Sequence, residues 1–202
     1  MPLTSSLLAI SDRASSGLEM PGWLRALGAA GVGAVQLREK DLEDRGLFAL
    51  ARLARAALPP ATRLLVNGRL DVAIAAGADG VHLPGDGVPV RPLRHRFGAG
   101  VLIGRSTHTL DEVRRARDEG ADYVTFGPVY ATPGKGAPVG VAELARAAAV
   151  GIPVYALGGI TLDRLGELAG AGAAGVAAIR LFQCTTDLQQ VARAALEAFG
   201  RA

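Results

Sequence analysis

The sequence predicts a closed (β/α)8 barrel, and three observations carry that expectation. Eight short apolar runs of strand character alternate with segments of helical periodicity. A glycine-bearing tetrapeptide recurs at helix-to-strand joins, as Gly31-Val32-Gly33-Ala34, Gly77-Ala78-Asp79-Gly80, Gly120-Ala121-Asp122-Tyr123 and Gly172-Ala173-Ala174-Gly175, spaced by 46, 43 and 52 residues. Each puts a glycine where a left-handed helix cap needs one, before strands two, four, six and eight, which reads as a βαβα unit repeated four times. No linker interrupts the 202 residues, so one domain over 1–202 is expected rather than an open doubly wound sheet.

The elements follow in order. Residues 7–10 are the first strand, ending at Ser11-Asp12, and a helix is expected over 23–30. Strand two covers 34–38. A long helix over 42–57 follows, with Leu47, Leu50 and Leu53 recurring at helical spacing, and Pro59-Pro60 ends it. Strand three is 63–67, a short helix 71–76, and strand four 80–83. A Gly/Pro loop is expected over 84–92 and a short helix over 93–97. Strand five is 101–106, with a helix at 110–119. Strand six is 123–126, and a long loop over 127–140 leads to a helix at 141–149. Residues 153–157 are strand seven. Gly158-Gly159 stops it, and Thr161 is placed as the N-cap of a helix with Leu162, Leu165 and Leu168 on one face. Strand eight is 175–179 and the last helix 188–199.

Composition narrows the function. The net charge is +3 and the Lys and Arg residues are spread along the chain, which suits an anionic small molecule. Aromatics are 4%, too few for platforms that stack single-stranded nucleic acid. No apolar run reaches membrane-spanning length, and the stretch from Met1 to Ser6 lacks the pattern of a signal peptide. A single cysteine, Cys184, excludes an internal disulfide and fits a reducing cytoplasm.

In such a barrel, function sits at the C-terminal ends of the strands. Those ends carry Gln36, Arg38, Glu39 and Lys40 after strand two, Asn67 and Arg69 after strand three, and His82 on strand four. Strand five adds Arg105, Ser106 and His108, loop six Thr132 and Lys135, and strands seven and eight Gly158, Gly159 and Arg180. Cations and small donors at one mouth make a phosphate-type site. The strand-Gly-Gly-helix stretch points the same way, because glycines admit an anion to the backbone.

Several strings together resemble a known family. Gln36-Leu37-Arg38-Glu39-Lys40, Asn67, Val81-His82-Leu83, Gly104-Arg105-Ser106-Thr107-His108, the run from Gly127 to Lys135, and Leu157-Gly158-Gly159-Ile160 are similar, in order, to the thiamine phosphate synthase superfamily. The resemblance implies a barrel of that type that joins a pyrimidine diphosphate to a thiazole phosphate. Arg38, Lys40 and Asn67 would bind the diphosphate, helped by Ser106, Thr132 and Lys135. Gly158 and Gly159 with strand eight would hold the thiazole phosphate, and Arg180, standing where the family carries a Ser, would add a cation.

The departures matter as much. The synthases hold magnesium with two Asp residues, and Gly68 and Gly87 stand at those positions, with Asp86 beside the second. Asn67-Gly68-Arg69-Leu70-Asp71 and Ile103-Gly104-Arg105-Ser106 resemble the TenI branch, whose activity is a metal-independent thiazole tautomerase. The leading expectation is therefore a cytoplasmic isomerase with no cofactor, aromatising a carboxythiazole phosphate by proton transfer. Pro128 stands where that branch carries its acid/base His, which leaves His82, His108 and Lys40 as candidate proton carriers. The alternatives are a magnesium-using synthase and a non-catalytic phosphate-binding or regulatory protein. A homodimer is compatible with each.

Overall fold

The eight strands close into one barrel in the computed structural model, which describes residues 3–17 and 19–200. The strands are β1 (Leu7–Ile10), β2 (Ala34–Leu37), β3 (Arg63–Asn67), β4 (Gly80–Leu83), β5 (Leu102–Thr107), β6 (Tyr123–Phe126), β7 (Val154–Leu157) and β8 (Gly175–Ala178). Each pairs in parallel with the next, and β8 pairs back with β1. The helices are α1 (Arg13–Ser16), α2 (Met20–Ala29), α3 (Asp44–Ala57), α4 (Leu70–Ala76), α5 (Val90–Phe97), α6 (Leu110–Asp118), α7 (Val141–Ala148), α8 (Leu165–Gly170), α9 (Arg180–Gln183) and α10 (Leu188–Phe199). Parallel neighbours need crossovers, and the longer helices supply them. Among the described residues no helix is long and apolar enough to cross a membrane.

Period-two alternation sorts the strand residues. Leu8, Ile10, Ala34, Leu65, Leu102, Tyr123, Tyr155 and Ala177 fill the barrel axis. Val35, Leu64, Val66, Val124, Val154 and Val176 face outward and pack under the helices. Each such large apolar side chain taken fully out of water contributes about 1.5–3 kcal/mol. At the face opposite the mouth, Leu3 is 2% exposed and belongs to the inner cluster. The Tyr155 hydroxyl donates to the carbonyls of Leu3 and Ser5, so the segment before β1 plugs the barrel floor.

The four joins behave as their spacing requires. Gly31, Gly77, Gly120 and Gly172 have φ of 78°, 71°, 90° and 84°. At two of them the aspartate does further work. Asp79 accepts the Leu64 N–H at 2.8 Å and pairs with Arg55 at 3.0 Å and Arg63 at 2.7 Å. Asp122 accepts the Ile103 N–H at 2.7 Å and pairs with Arg94 at 2.5 Å. Each carboxylate thus ties the start of one strand to its neighbour and to a helix.

Two helices start earlier than expected, each with a proline in its first turn. The second helix starts at Met20, not at residue 23, because Pro21 falls in the first turn, where no N–H is needed, and Glu19 caps it by accepting the Gly22 N–H. Likewise α5 starts at Val90 inside the expected 84–92 loop, with Pro92 in its first turn. The helices α1 and α9 were not expected. Thr161 occupies the cap position, but its side chain caps nothing, and a 3-10 turn over Leu162–Arg164 precedes α8.

The Asp122 knot yields a prediction. Asp122→Ala removes two charge-assisted partners and leaves Arg94 partly unpaired. Equilibrium urea unfolding should give a loss of about 1.5–3 kcal/mol. A loss under about 0.5 kcal/mol, the size of an ordinary surface substitution, would show that the knot contributes nothing.

Candidate functional site

Inward-facing polar residues form the base of the mouth. His82 on β4 is only 2% exposed. Its Nδ1 lies 2.9 Å from the Tyr123 hydroxyl and its Nε2 2.9 Å from Ser106 Oγ, with Thr125 Oγ1 at 3.5 Å. Tyr123 reaches it across β5, where Gly104 stands in register between them. Burial first, then the nearby Arg105 and Arg38 guanidinium charges, push the His82 imidazole down to about 3, so it is neutral at physiological pH. Period two brings His82 to the axis, as its pattern predicts, but Ser106 stands between it and the mouth.

On the β2–β3 side, Gln36 Nε2 donates to Asn67 Oδ1 at 3.0 Å. Gln36 is 2% exposed, and its Oε1 is buried with no partner among the described residues. Arg38 follows at the strand end. Its N–H donates to Ser11 Oγ at 3.0 Å, while its half-buried guanidinium has no partner among the described residues. Glu39 holds this corner rigid: it is 6% exposed and accepts the Arg13 N–H at 3.1 Å. Lys40 and Lys135 are exposed.

The loop from β6 to α7 folds back over the glycine pair. The Val129 and Tyr130 N–H groups donate to Leu157 and Gly158 carbonyls at 2.8 and 3.2 Å, and the Thr132 hydroxyl donates to the Tyr130 carbonyl at 3.0 Å. A Cβ on Gly158 would sit 2.6 Å from Pro128 Cβ, and one on Gly159 2.7 Å from Tyr130 Cβ. Both glycines are therefore demanded by loop packing before any ligand is considered. Arg164 stacks 4.1 Å over the Tyr130 ring and donates to the Gly159 carbonyl, and Tyr130 donates to Glu167. Sequence reasoning missed Arg164, and its place five residues after Gly159 was the available signal.

Three expected mouth residues have other work. Arg105 alternates outward from the axis and donates to the Gly85, Gly87 and Val88 carbonyls at 2.8, 3.3 and 2.7 Å, pinning the loop after β4. Arg69 is held between Asp44 and Asp71, which raise its pKa, while it lowers that of Asp71 to about 2. His108 is exposed at the rim, with Nδ1 donating to the Gly127 carbonyl. Arg180 is exposed at the start of α9, just past β8.

The donors present do not fit a protein-held magnesium. Gly68 has φ 71°, where an Asp would be strained, and its N–H donates to the His82 carbonyl. A Cβ on Gly87 would meet Pro84 at 3.0 Å. Asp41 pairs with Arg13, Asp71 with Arg69, and Glu39 is committed to Arg13. Asp86 stands exposed in its loop, and no group of three or more His, Cys, Asp or Glu among the described residues is placed to hold a metal ion.

A family model described as thiamine monophosphate synthase matches residues 7–182. A Geobacter sulfurreducens relative is 46% identical over 197 residues, covering 95% of this chain and 92% of its own, and bears the name thiamine-phosphate synthase provisionally. The thiamine-phosphate synthase of Anaeromyxobacter dehalogenans is 43% identical over 185 residues, covering 88% of this chain and 83% of its own. Thiamine phosphate pyrophosphorylase from Pyrococcus furiosus superposes with a TM-score of 0.85 at 28% identity, over 98% of this chain and 96% of that one.

These findings overturn the isomerase expectation, because the relatives are named for a transferase reaction. The physical reason is legible in the site. Two residues of the strings that carried the tautomerase likeness have structural partners: Arg69 pairs with Asp44 and Asp71 in the first turns of α3 and α4, and Arg105 alternates outward and pins the loop after β4. They carry no information about proton transfer.

Neutral, buried His82 makes a measurable demand. Its folded pKa lies below the ordinary value of 6.5, so the unfolded chain takes up the proton first as pH falls. Its stabilising contribution is full above about pH 6.5 and is lost as pH drops toward 3, with a limiting slope of about 1.4 kcal/mol per pH unit. Urea unfolding of wild type and His82→Gln at a series of pH values should show a shallower decline for the variant. Equal slopes would contradict a depressed pKa.

Proposed function

We propose, from the premise that this chain belongs to the thiamine monophosphate synthase family, that it acts in thiamine biosynthesis as a transferase, joining a pyrimidine diphosphate to a thiazole phosphate with release of diphosphate. The observation that carries this reading is the pairing of an unpartnered Arg38 guanidinium with an orphaned buried acceptor, Gln36 Oε1, at one end of one barrel. A buried acceptor left without a donor is costly, and an amino group on a pyrimidine ring is such a donor. The Arg38 guanidinium, from the same strand end, would meet the diphosphate.

The chemistry follows from charge. As diphosphate departs, negative charge grows on the leaving oxygen, and fixed cations that meet it there lower the barrier. Arg38 supplies a fork and Lys40 and Lys135 supply point charges. Thr132 and Lys135 come from the loop that lies over Gly158 and Gly159, so thiazole phosphate held there would share that loop with the diphosphate. Arg180 adds a cation at the neighbouring strand end. His82 serves this reading as a neutral support for Ser106, and His108 as a rim residue. With no carboxylate cage, neutralisation falls to the chain's own cations, and no step here passes through a metal.

Gly68 and Gly87 favour one second reading, a protein that keeps the phosphate pocket without turnover. A single experiment separates the two. Purified protein is incubated with both substrates, with magnesium and then with EDTA, and thiamine phosphate is followed by chromatography. The transferase reading expects product in both, with Arg38→Met reducing the rate on the order of a hundredfold. Bound substrates with no product under either condition would sink the transferase reading in favour of the second. Product only with magnesium would overturn the assignment of charge neutralisation to the chain's own cations.

A further inference from the structure

The chain across the barrel axis, Tyr123 to His82 to Ser106, has a direction. Tyr123 is fully buried, and the only hydrogen-bond partner of its hydroxyl among the described residues is His82 Nδ1 at 2.9 Å. A buried hydroxyl hydrogen without an acceptor costs more than an ordinary hydrogen bond is worth. The Tyr123 hydrogen therefore goes to Nδ1, which must be bare. A neutral imidazole with a bare Nδ1 carries its hydrogen on Nε2. That Nε2–H donates to Ser106 Oγ at 2.9 Å, with Thr125 Oγ1 at 3.5 Å as a weaker second acceptor.

We infer that Tyr123 is a positioning residue which, acting through the His82 tautomer, fixes the Ser106 hydroxyl as a hydrogen-bond donor toward an anion in the mouth. Ser106 is half-buried, and His82 is its only side-chain partner among the described residues. With one lone pair of Oγ filled by Nε2–H, its own hydrogen is left for the open side. In the opposite tautomer Nε2 would capture the Ser106 hydrogen, and the mouth would receive a lone pair, which repels phosphate. The direction of two buried hydrogen bonds thus decides whether Ser106 attracts or repels an anion.

Gly104 is the second observation. It lies in register between Tyr123 and His82, and a Cβ built there would stand 2.1 Å from Tyr123 Cζ and 2.4 Å from its hydroxyl oxygen. The strand gives up a side chain at this point, and the phenol crosses it to the histidine. The Gly-Ala-Asp-Tyr join points the same way: a tyrosine opens β6 where Gly80 and Gly175 open β4 and β8.

The consequence for a ligand rests on the proposed diphosphate site, whereas the tautomer does not. Nitrogen-15 NMR of histidine-labelled wild-type protein at neutral pH should show His82 protonated at Nε2 and bare at Nδ1. A His82 protonated at Nδ1 would overturn the relay outright. Calorimetry with inorganic pyrophosphate should give an affinity loss on the order of tenfold for Tyr123→Phe and a similar loss for Ser106→Ala. The double variant should lose no more than Ser106→Ala alone. Additive losses, or Tyr123→Phe with unchanged tautomer and affinity, would refute the positioning role. Should wild type bind no pyrophosphate, the proposed diphosphate site and the anion-directed role of Ser106 both fall, while the NMR result still decides the tautomer relay.

Discussion

Each strand residue in a closed barrel has one of two addresses, the axis or the helix layer, and the ladder from β8 back to β1 makes that choice irrevocable. The rest of the structure depends on this constraint. A slip of one residue in β4 would send His82 under the helices and bring Val81 and Leu83 to the axis. The mouth would lose the group that meets Tyr123 and Ser106, and the hydrophobic sheath would gain an imidazole.

The constraint also explains why polar groups on the axis come as connected sets. Space there admits little water, so each hydroxyl, amide or ring nitrogen must find a neighbour on an adjacent strand. His82, Ser106, Thr125 and Tyr123 satisfy one another, and Gln36 leans on Asn67. The Gln36 Oε1 that remains unmatched is for that reason informative. On the outside, Asp79 and Asp122 perform the same service for strand starts, where barrel curvature leaves backbone donors to be met.

Much of this was legible in the chain. Strand spacing, glycines at the joins and the inward direction of His82 follow from periods and local sterics, and these are properties of neighbouring residues. What escaped was set by partners far apart in sequence. Arg105 was placed at the mouth because it lies near a strand end, yet its address is outward, and its partners lie about twenty residues away across a loop. Arg69 was neutralised by Asp44, which no local pattern links to it. The tautomerase reading, which the names of the relatives overturned, had leaned on strings containing those residues, and family likeness at a position does not reveal which way its side chain faces. Pro92 was counted with the Gly/Pro loop over 84–92, although a helix tolerates proline in its first turn.

The floor has a consequence for traffic. With Leu3 lodged among the axial residues and Tyr155 fastened to the backbone beneath them, the barrel is a blind well rather than a tunnel. Whatever enters must displace water through the same opening it uses. If the proposed reaction runs here, both reactants and the departing anion use that one doorway.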